Sequence, residues 1–248
     1  MIVHLLTIVH DQDGALLPAM KAYLQRASSI YNKMYIVISD ETNDAVEAEA
    51  RKNGLKTFRI PKKGAAFARR QALRLVFENS EAAATYHYCD FDRLLTWLEV
   101  GTAELKHTIE TCPDVDYLLL GRTKQAFQSH PLEWQETEKW TNHLFSLAIG
   151  FEADVTAGSC IMSSRALKAI VAELPYSIGK MTDAEWPLLV KSKVKEAVIQ
   201  AEFVNGLCYR ERNRALEEDS VINWANRIKL SSFIAETILT HYYQGTSN

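Results

Sequence analysis

Cysteine is scarce in this sequence, and the four that occur are widely scattered, at Cys89, Cys112, Cys160 and Cys208. They form no Cys-x-x-Cys pair. Scattered cysteines of this kind are typical of reduced thiols in a cytosolic protein and argue against a structural zinc site. We therefore predict a cytoplasmic location.

Long apolar runs are also missing. No segment approaches the roughly 20 consecutive apolar residues that a membrane-spanning helix needs, so we predict no transmembrane segment. Residues 1–14 lack a positively charged start and a small-residue cleavage site, so they do not resemble a signal peptide. Their apolar, β-branched character predicts a first strand instead.

Neither sign of charge predominates, since 28 Lys and Arg residues stand against 31 Asp and Glu residues. This balance argues against general affinity for nucleic acid, so we expect no nucleic acid among the partners. Hydrophobic residues make up 47% of the chain, which is enough for a core and excludes an intrinsically disordered protein. The 248 residues suit one large domain or two small ones.

Three common motifs of nucleotide-binding and hydrolytic enzymes are absent. The sequence has no Gly-x-Gly-x-x-Gly, no Gly-x-x-x-x-Gly-Lys-Ser/Thr and no Gly-x-Ser-x-Gly. Its seven histidines show no spacing typical of metal ligands. NAD-dependent dehydrogenases, P-loop NTPases and α/β-hydrolases are therefore disfavoured.

Short apolar runs alternate with helical patterns over the first 120 residues. The runs at 2–9, 34–38, 56–60, 85–89 and 116–120 predict five strands. Strands and helices that alternate at this spacing indicate βαβ units around a mostly parallel sheet, so the predicted fold class is α/β.

The segments after these strands predict further elements of the same domain. Leu94, Leu98, Leu105 and Ile109 form one apolar stripe, which predicts a single helix after the fourth strand. Beyond residue 120 the sequence predicts one helix at about 135–149, strands at 158–164 and 195–204, and a long final helix. No linker or repeat interrupts the chain.

The most informative motif is Asp90-Phe-Asp92, directly after the fourth predicted strand. Open parallel sheets bind ligands at the carboxyl ends of their strands, and a turn there can direct both carboxylates at one cation. Mg²⁺ and Mn²⁺ favour oxygen ligands and are commonly held by one or two carboxylates plus phosphate oxygens. Asp90 and Asp92 are therefore candidate metal ligands. The alternative is that Asp92 caps a helix and Asp90 is solvated.

A basic segment at 62–70 leads into a predicted helix. Lys62 and the following Gly64 present positive charge and backbone N–H groups to an anion. Arg69 or Arg70 can then reach a phosphate or a base edge. The alternative is a solvated basic helix face, because Arg70 and Arg74 lie four residues apart.

An acidic cluster follows the second predicted strand, at Asp40 and Glu41. A carboxylate at this position can hydrogen-bond a ribose hydroxyl or a base N–H. The cluster can equally serve the next helix, with Thr42 or Asn43 as its N-cap. Residues 10 and 11, His10-Asp11, add a polar pair at the same predicted edge of the sheet.

Late in the chain, Asp183 and Glu185 are candidates for a general base that acts on an acceptor hydroxyl. Thr182 and Glu185 also match a capping box, whereas Pro187 favours a helix that starts near Trp186. In that second case Asp183 and Glu185 lie in a loop, where functional carboxylates often occur.

Taken in order, these elements resemble the nucleotide-sugar glycosyltransferases of the GT-A fold, particularly family 2. The resemblance spans roughly residues 3–210 and is carried by the opening strand, SDET, GAAFARRQAL, CDFDR and TDAEWPLL. It implies a single GT-A-like, Rossmann-related α/β domain over 1–248, with a mostly parallel central sheet flanked by helices. About 1–120 would bind the nucleotide sugar, and about 121–248, including the final helix, would bind the acceptor.

The resemblance also implies roles for individual residues. Asp90 and Asp92 would hold Mn²⁺ or Mg²⁺ against the donor diphosphate. Asp183 falls where the family places its catalytic acidic residue, usually within Glu-Asp; here Thr182 replaces that Glu, so Glu185 is the substitute candidate. The donor-binding set is Asp40, Glu41, Lys62, Gly64, Arg69, Arg70 and Asp90.

The implied activity is transfer of a sugar from a UDP- or GDP-sugar to an unidentified hydroxyl acceptor. One alternative is a haloacid-dehalogenase-like phosphatase with Asp90 as nucleophile, although such enzymes usually carry Asp-x-Asp after the first strand and Thr or Val where this chain has Leu94. Another is a catalytically inactive nucleotide-binding protein of the same fold. The final helix contains Trp and Tyr residues that could pack on a partner, so a homodimer is a further hypothesis.

Overall fold

One seven-stranded sheet runs through the protein, whose computed structural model describes residues 2–80, 84–176, 181–210 and 220–246. Its strands are β1 (Val3–Val9), β2 (Lys33–Ser39), β3 (Leu55–Ile60), β4 (Thr85–Cys89), β5 (Tyr117–Arg122), β6 (Ser159–Ser163) and β7 (Ile199–Val204). They lie in the order β3-β2-β1-β4-β6-β5-β7, and β6 runs antiparallel to both of its neighbours. The other neighbouring pairs are parallel, so the prediction of a mostly parallel sheet is confirmed.

Helices flank this sheet on both faces. In the described ranges they are α1 (Leu17–Tyr23), α2 (Asp44–Lys52), α3 (Ala65–Asn79), α4 (Phe91–Val100), α5 (Thr102–Glu110), α6 (Lys124–Gln128), α7 (Leu132–Ile149), α8 (Ser164–Glu173), α9 (Thr182–Lys193) and α10 (Val221–Thr246). None of the described helices is both long enough and apolar enough to cross a membrane.

The strands send alternate side chains into two hydrophobic cores, one on each face of the sheet. Leu5 of β1 belongs to the core that contains side chains of α1, α2, α4 and α5, whereas its neighbour Leu6 belongs to the core that contains side chains of α3 and α7 to α10. Full burial of one such leucine contributes roughly 1.5–3 kcal/mol. Because both faces are covered, β1 is apolar almost throughout, which made it recognisable in the sequence.

The apolar stripe after β4 belongs to two helices, so the prediction of one helix is wrong. Gly101, with φ −152° and ψ 45°, separates α4 from α5. Its N–H donates to the Trp97 carbonyl at 2.9 Å and closes α4. Glycine costs about 1 kcal/mol relative to alanine inside a helix, which favours a break at this point. Leu94 and Leu105, from the two helices, still meet in the same core.

Helix α9 begins at Thr182, so the prediction of a loop that carries Asp183 and Glu185 is wrong. Pro187 lies inside the helix, and the N-cap position is Met181, which makes no side-chain capping bond. The capping box is therefore not formed either. Proline inside a helix costs about 3 kcal/mol. Tertiary packing offsets this cost, since α9 is buried from Ala184 to Val190 and Trp186 is only 2% exposed.

The carboxyl ends of β1 to β4 lie at one edge of the sheet, because these four strands run parallel. The segments that leave this edge begin with His10, Asp40, Pro61 and Asp90. Ligands of open parallel sheets bind at such an edge. The polar residues predicted from the sequence are therefore brought to one side of the molecule.

Candidate active site

A cavity of about 530 Å³, which we call the larger cavity, opens at this edge of the sheet. Its wall is formed by the ends of the strands and by the start of α3. The polar side chains in the wall are those of His10, Asp11, Ser39, Lys62, Lys63, Arg69, Asp90 and Asp92. Several of these were predicted from the strand-end rule alone.

A second cavity of about 190 Å³, the smaller cavity, lies beside the first. It is lined by Arg69, Asp90, Asp92, Arg93, Trp134, Glu138, Thr156, Ala157, Met181, Asp183, Arg227, Leu230 and Ile234. Arg69, Asp90 and Asp92 line both cavities. These three residues therefore mark the junction at which two bound molecules would meet.

Asp90 holds the N-cap position of α4, and Asp92 lies in the first helical turn. One oxygen of Asp90, Oδ2, accepts a hydrogen bond from Arg69 Nη2 at 2.6 Å, and Oδ1 accepts one from the Tyr88 hydroxyl. The alternative in which Asp92 is the cap and Asp90 is merely solvated is therefore wrong. The reason is that the turn after β4 places Asp90, not Asp92, outside the helix.

Gly158 allows a close approach of the chain to Asp90. It has a positive φ of +74°, and a Cβ atom there would lie 2.7 Å from Asp90 Oδ2. The Asp90 N–H donates to the Gly158 carbonyl at 3.0 Å. A side chain at this position would displace the Asp90 carboxylate, so the glycine keeps space for it.

Arg69 is buried and joins the carboxylates of the site. Besides Asp90, it donates to Asp183 Oδ2 from Nη1 at 2.5 Å and to the Tyr88 hydroxyl from Nε at 2.9 Å. Burial opposes the charged form, but Asp183 and Asp90 outweigh it and hold the pKa of Arg69 well above its usual value. The guanidinium is therefore permanently charged between two carboxylates.

Of the two residues predicted as a general base, Asp183 and Glu185, Asp183 lines the smaller cavity. Its side chain is 12% exposed. Burial raises the pKa of the Asp183 carboxyl; Arg69 opposes this rise and Asp90 adds to it. A carboxylate with a raised pKa is a better proton acceptor at neutral pH than an ordinary one. Its position in the first turn of α9 is fixed by the buried remainder of that helix.

Glu185 and Arg70 lie on a different side of α9 and α3 from Asp183 and Arg69. Glu185 is 1% exposed, and its Oε2 accepts a hydrogen bond from Arg70 Nη2 at 2.8 Å. Among the described residues that line the two cavities, neither Glu185 nor Arg70 occurs. The structure thus separates these two predicted site residues from Arg69 on α3, Asp90 and Asp92 at the start of α4, and Asp183 on α9.

Asp40 and Glu41 hold the segment that enters α3. Asp40 Oδ1 accepts a hydrogen bond from the Lys62 N–H at 3.0 Å, and Glu41 pairs with Lys62 Nζ at 2.6 Å. Lys62 and Gly64 line the larger cavity, whereas Asp40 and Glu41 do not occur in its described wall. Gly64 has a φ of +88°, a conformation that suits glycine.

His10, Asp11 and Ser39 line the larger cavity at the ends of β1 and β2. His10 Nδ1 lies 2.8 Å from Ser39 Oγ. Asp11 accepts hydrogen bonds from the N–H groups of Ala15 and Leu16, each at 2.9 Å, and so orders the start of α1. His10 and Asp11 directly follow β1, so the rule that identified Asp90 also identifies them.

A buried network of ion pairs lies next to the smaller cavity and includes two residues of its wall, Glu138 and Arg227. Arg122 pairs with Glu138 at 2.6 Å and with Asp154 at 2.7 Å, and Arg227 donates to the other Glu138 oxygen. Burial opposes ionisation of Asp154, but Arg122 outweighs it and lowers the pKa of Asp154 to about 2. No local pattern in the sequence indicates this network, because its members come from β5, α7, α10 and the segment before β6.

The carboxylates at the junction fit a divalent metal. Asp90 and Asp92 present oxygen ligands to both cavities. Within the described ranges no group of three His, Cys, Asp or Glu side chains is placed to hold a metal ion. Two carboxylates with the remaining positions left to water and phosphate oxygens are the usual ligands of Mg²⁺ at phosphate sites.

Several solved structures share this fold. Glucosyl-3-phosphoglycerate synthase from Mycobacterium tuberculosis, in complex with Mn²⁺, UDP and phosphoglyceric acid, has a TM-score of 0.61 at 12% identity, with 97% of this chain and 78% of that chain covered. A complex of that enzyme with Mn²⁺, UDP-glucose and phosphoglyceric acid has a TM-score of 0.59 at 13% identity, with 97% and 79% covered. A mycobacterial protein has a TM-score of 0.59 at 12% identity, with 97% and 74% covered.

No protein-family model and no curated protein matches the sequence. The likeness to solved structures, at 12–13% identity over 97% of the chain, is a likeness of fold. It confirms the fold that was predicted from the order of strands, helices and polar motifs. The chain has the GT-A fold of nucleotide-sugar glycosyltransferases.

Proposed function

We propose that this chain is a metal-assisted glycosyltransferase that moves a sugar from a nucleoside diphosphate to a hydroxyl acceptor. The observation that carries the proposal is the shared wall of the two cavities, formed by Arg69, Asp90 and Asp92, with Asp183 in the smaller one. A donor in the larger cavity and an acceptor in the smaller cavity would meet between metal ligands and a base. The Mn²⁺ and UDP-glucose in a structure of the same fold support a UDP-sugar as donor.

The larger cavity suits a nucleoside diphosphate in size and charge. Its volume of about 530 Å³ lies within the usual range for small-molecule sites, about 300–1,000 Å³. Lys62, Lys63 and the N-terminus of α3 would face the diphosphate. Asp40 and Glu41 would contribute by ordering the Lys62 segment, while His10 and Ser39 offer hydrogen bonds to the nucleoside.

Asp90 and Asp92 would hold Mn²⁺ or Mg²⁺ against the diphosphate. When bound, the metal supplies positive charge that stabilises the leaving nucleoside diphosphate. Arg69 fixes the Asp90 carboxylate through Oδ2, and the Tyr88 hydroxyl fixes Oδ1. These two bonds pre-orient the carboxylate, so little reorganisation is needed when the donor enters.

Asp183 would accept the proton of the acceptor hydroxyl. As the acceptor oxygen forms its bond to the anomeric carbon, the bond from that carbon to the diphosphate breaks and the proton passes to Asp183 Oδ. The burial that raises the pKa of Asp183 favours this transfer. Glu185, the substitute candidate, is engaged by Arg70 and lies away from the described cavity walls.

The two alternative functions stand differently. The phosphatase hypothesis requires a haloacid-dehalogenase-like fold, and the fold is GT-A, so its main support is lost. A catalytically inactive nucleotide-binding protein of this fold is distinguished only by an assay. The homodimer, the cytoplasmic location and the division at about residue 120 stay predictions from the sequence.

The test is release of the nucleoside diphosphate from a panel of UDP- and GDP-sugars, with and without Mn²⁺, in wild-type protein and in Asp183→Asn. We expect Mn²⁺-dependent release from one donor class and strong loss in the variant. Asp114→Asn, at an exposed aspartate before β5, is the matched control and should behave as wild type. Tight nucleotide binding without release from any donor would favour the inactive alternative.

A further inference from the structure

We infer that the acceptor carries an oxyanion, a phosphate or a carboxylate, and that Arg93 and Arg227 bind this group in the smaller cavity. The inference rests on the proposed function, which places the acceptor there. It adds a chemical class to the acceptor and assigns binding roles to two arginines that lie outside the donor-binding set.

Arg93 is a buried guanidinium in the wall of the smaller cavity, with an exposure of 7%. Its Nη1 donates a hydrogen bond of 2.9 Å to His130 Nε2. Burial lowers the pKa of His130 to about 2, with Arg93 and Arg122 adding to the effect, so His130 is neutral. Within the described ranges, Arg93 forms no ion pair with Asp or Glu. A buried charge without a counter-charge is costly, and an incoming anion would remove that cost.

Arg227 of α10 and Arg93 both lie close to the ring of Trp134. The Arg227 Cζ lies 4.2 Å from the centroid of that ring, and the Arg93 Cζ lies 5.3 Å from the same centroid. The Nε of Arg227 is buried and has no hydrogen-bond partner among the described residues, although another nitrogen donates to Glu138. One N–H donor of Arg227 is therefore without a partner among the described residues.

Arg93 and Arg227 line one cavity and repel each other, and an anion bound between them would offset this repulsion. Burial lowers the pKa of Arg227, and Arg93 and Arg122 lower it further, while Glu138 opposes the shift. The bidentate geometry of guanidinium groups suits phosphate and carboxylate oxygens. Arg93 and Arg227 line the same cavity as Trp134, so the two groups would bind a small oxyanion while the indole ring packs against the carbon atoms attached to it.

The other arginines of this region are compensated by carboxylates. Arg122 forms ion pairs with Glu138 and Asp154, and Arg227 forms an ion pair with Glu138. Arg69 forms ion pairs with Asp90 and Asp183. Among the described residues that line the smaller cavity, Arg93 is the guanidinium without an ion pair to Asp or Glu.

The size of the smaller cavity limits what can bind. At about 190 Å³ it admits a small molecule or the end of a larger one. Asp183 lies in the same wall as Arg93 and Arg227. An acceptor whose oxyanion is held by the two arginines can therefore present a nearby hydroxyl to the base.

The test uses inorganic phosphate and acetate as probes, titrated by calorimetry into full-length protein that is first saturated with UDP and Mn²⁺. Saturation keeps the probes out of the larger cavity. We expect the loaded wild-type protein to bind phosphate, acetate or both, and the stronger probe shows which oxyanion the site prefers. Arg93→Gln should weaken this binding by about tenfold or more, while UDP still binds.

Arg74→Gln is the matched control, because Arg74 lies on the exposed face of α3 and pairs only with nearby Glu78 in the described part of the chain. It should bind the probe as wild type does. Arg227→Gln gives a second variant at a position where 17% of the side chain is exposed, and the same loss is expected if Arg93→Gln does not fold.

Two results would overturn the inference: no binding of either probe to loaded wild-type protein, or wild-type probe affinity in a folded Arg93 or Arg227 variant. Failure of UDP to bind wild-type protein with Mn²⁺ would instead contradict the proposed function. The two failures are therefore distinguishable in one set of titrations.

Discussion

Arg69 Nη1 lies 2.5 Å from Asp183 Oδ2, which places a helix α3 guanidinium in direct contact with the proposed base on α9. The same guanidinium holds Asp90 at 2.6 Å. One buried cation therefore positions both the proposed metal ligand and the proposed base. This contact explains how residues more than 100 positions apart in the chain can form one site.

Replacement of Asp183 by Asn tests the base. We expect turnover to fall about 10²- to 10⁴-fold, because general-base catalysis typically contributes that factor. Affinity for UDP with Mn²⁺ should change little, since Asp183 lies in the smaller cavity. Steady-state kinetics together with calorimetry separate the two effects. Near-normal turnover in the variant would remove Asp183 from the base role.

The pH dependence of turnover should report the same carboxyl. Burial raises the pKa of Asp183, and only the ionised form accepts a proton. Activity should therefore fall on the acid side at a pH above the usual titration range of aspartate, which is centred near about 3.9. A pH profile of kcat/KM in wild type checks this. A fall of kcat/KM that begins only at or below the ordinary pKa of aspartate would contradict the raised pKa of Asp183.

Replacement of one residue of the Arg70–Glu185 ion pair should lower the free energy of unfolding. Glu185→Ala removes this ion pair, whose carboxylate is 1% exposed, and we expect a loss of about 3 kcal/mol in the free energy of unfolding. The double variant Arg70→Met, Glu185→Leu should lose less, because it replaces both charges of the pair with apolar side chains. Urea denaturation measures both. Equal losses in the single and double variants would argue against a structural ion pair.

Two glycine substitutions, Gly158→Ala and Gly150→Ala, distinguish crowding of Asp90 from the cost of a positive φ. Gly158→Ala and Gly150→Ala both place alanine at a positive φ, of +74° and +100°, so each should cost about 1–2 kcal/mol. Only the Cβ at Gly158 would crowd Asp90, at 2.7 Å from Oδ2, whereas nothing lies within 4 Å of a Cβ at Gly150. Mn²⁺-dependent UDP binding should weaken in Gly158→Ala alone.

Acid should weaken the network behind the smaller cavity. Arg122 holds the pKa of Asp154 at about 2, below the unfolded value of about 3.9, so the ionised carboxylate contributes about 2 kcal/mol at neutral pH. This contribution is complete above the unfolded pKa and is lost as pH falls from about 4 towards 2. Asp154→Asn should therefore show a smaller change in unfolding free energy over that interval. Identical pH dependence in both proteins would contradict the assignment.

The sheet and part of the site could be predicted from the sequence because they depend on local patterns. Buried parallel strands are apolar runs; Asp90 directly follows β4, and Lys62 lies two residues after the end of β3. The antiparallel insertion of β6 between β4 and β5 is a matter of long-range pairing, which no local pattern indicates. The helical position of Asp183 was mispredicted because burial of α9 outweighs the preference of Pro187.

The smaller cavity shows where prediction from the sequence stops. Trp134 and Arg227 enter it from α7 and α10, whose packing against each other sets which side chains face inward. Amphipathic periodicity predicts that such helices exist, but not their rotation relative to a distant strand end. Arg93 could have been identified by its position next to Asp92.

Mn²⁺-dependent binding of UDP tests the central claim most directly, namely that Asp90 and Asp92 hold a metal at the junction of the two cavities. Calorimetry of UDP in the presence and absence of Mn²⁺ should give tight binding to wild type and to Asp114→Ala only when the metal is present. Asp92→Ala should lose this metal-dependent binding and keep the thermal stability of the wild type. Unchanged UDP affinity in a folded Asp92→Ala protein would contradict the metal site.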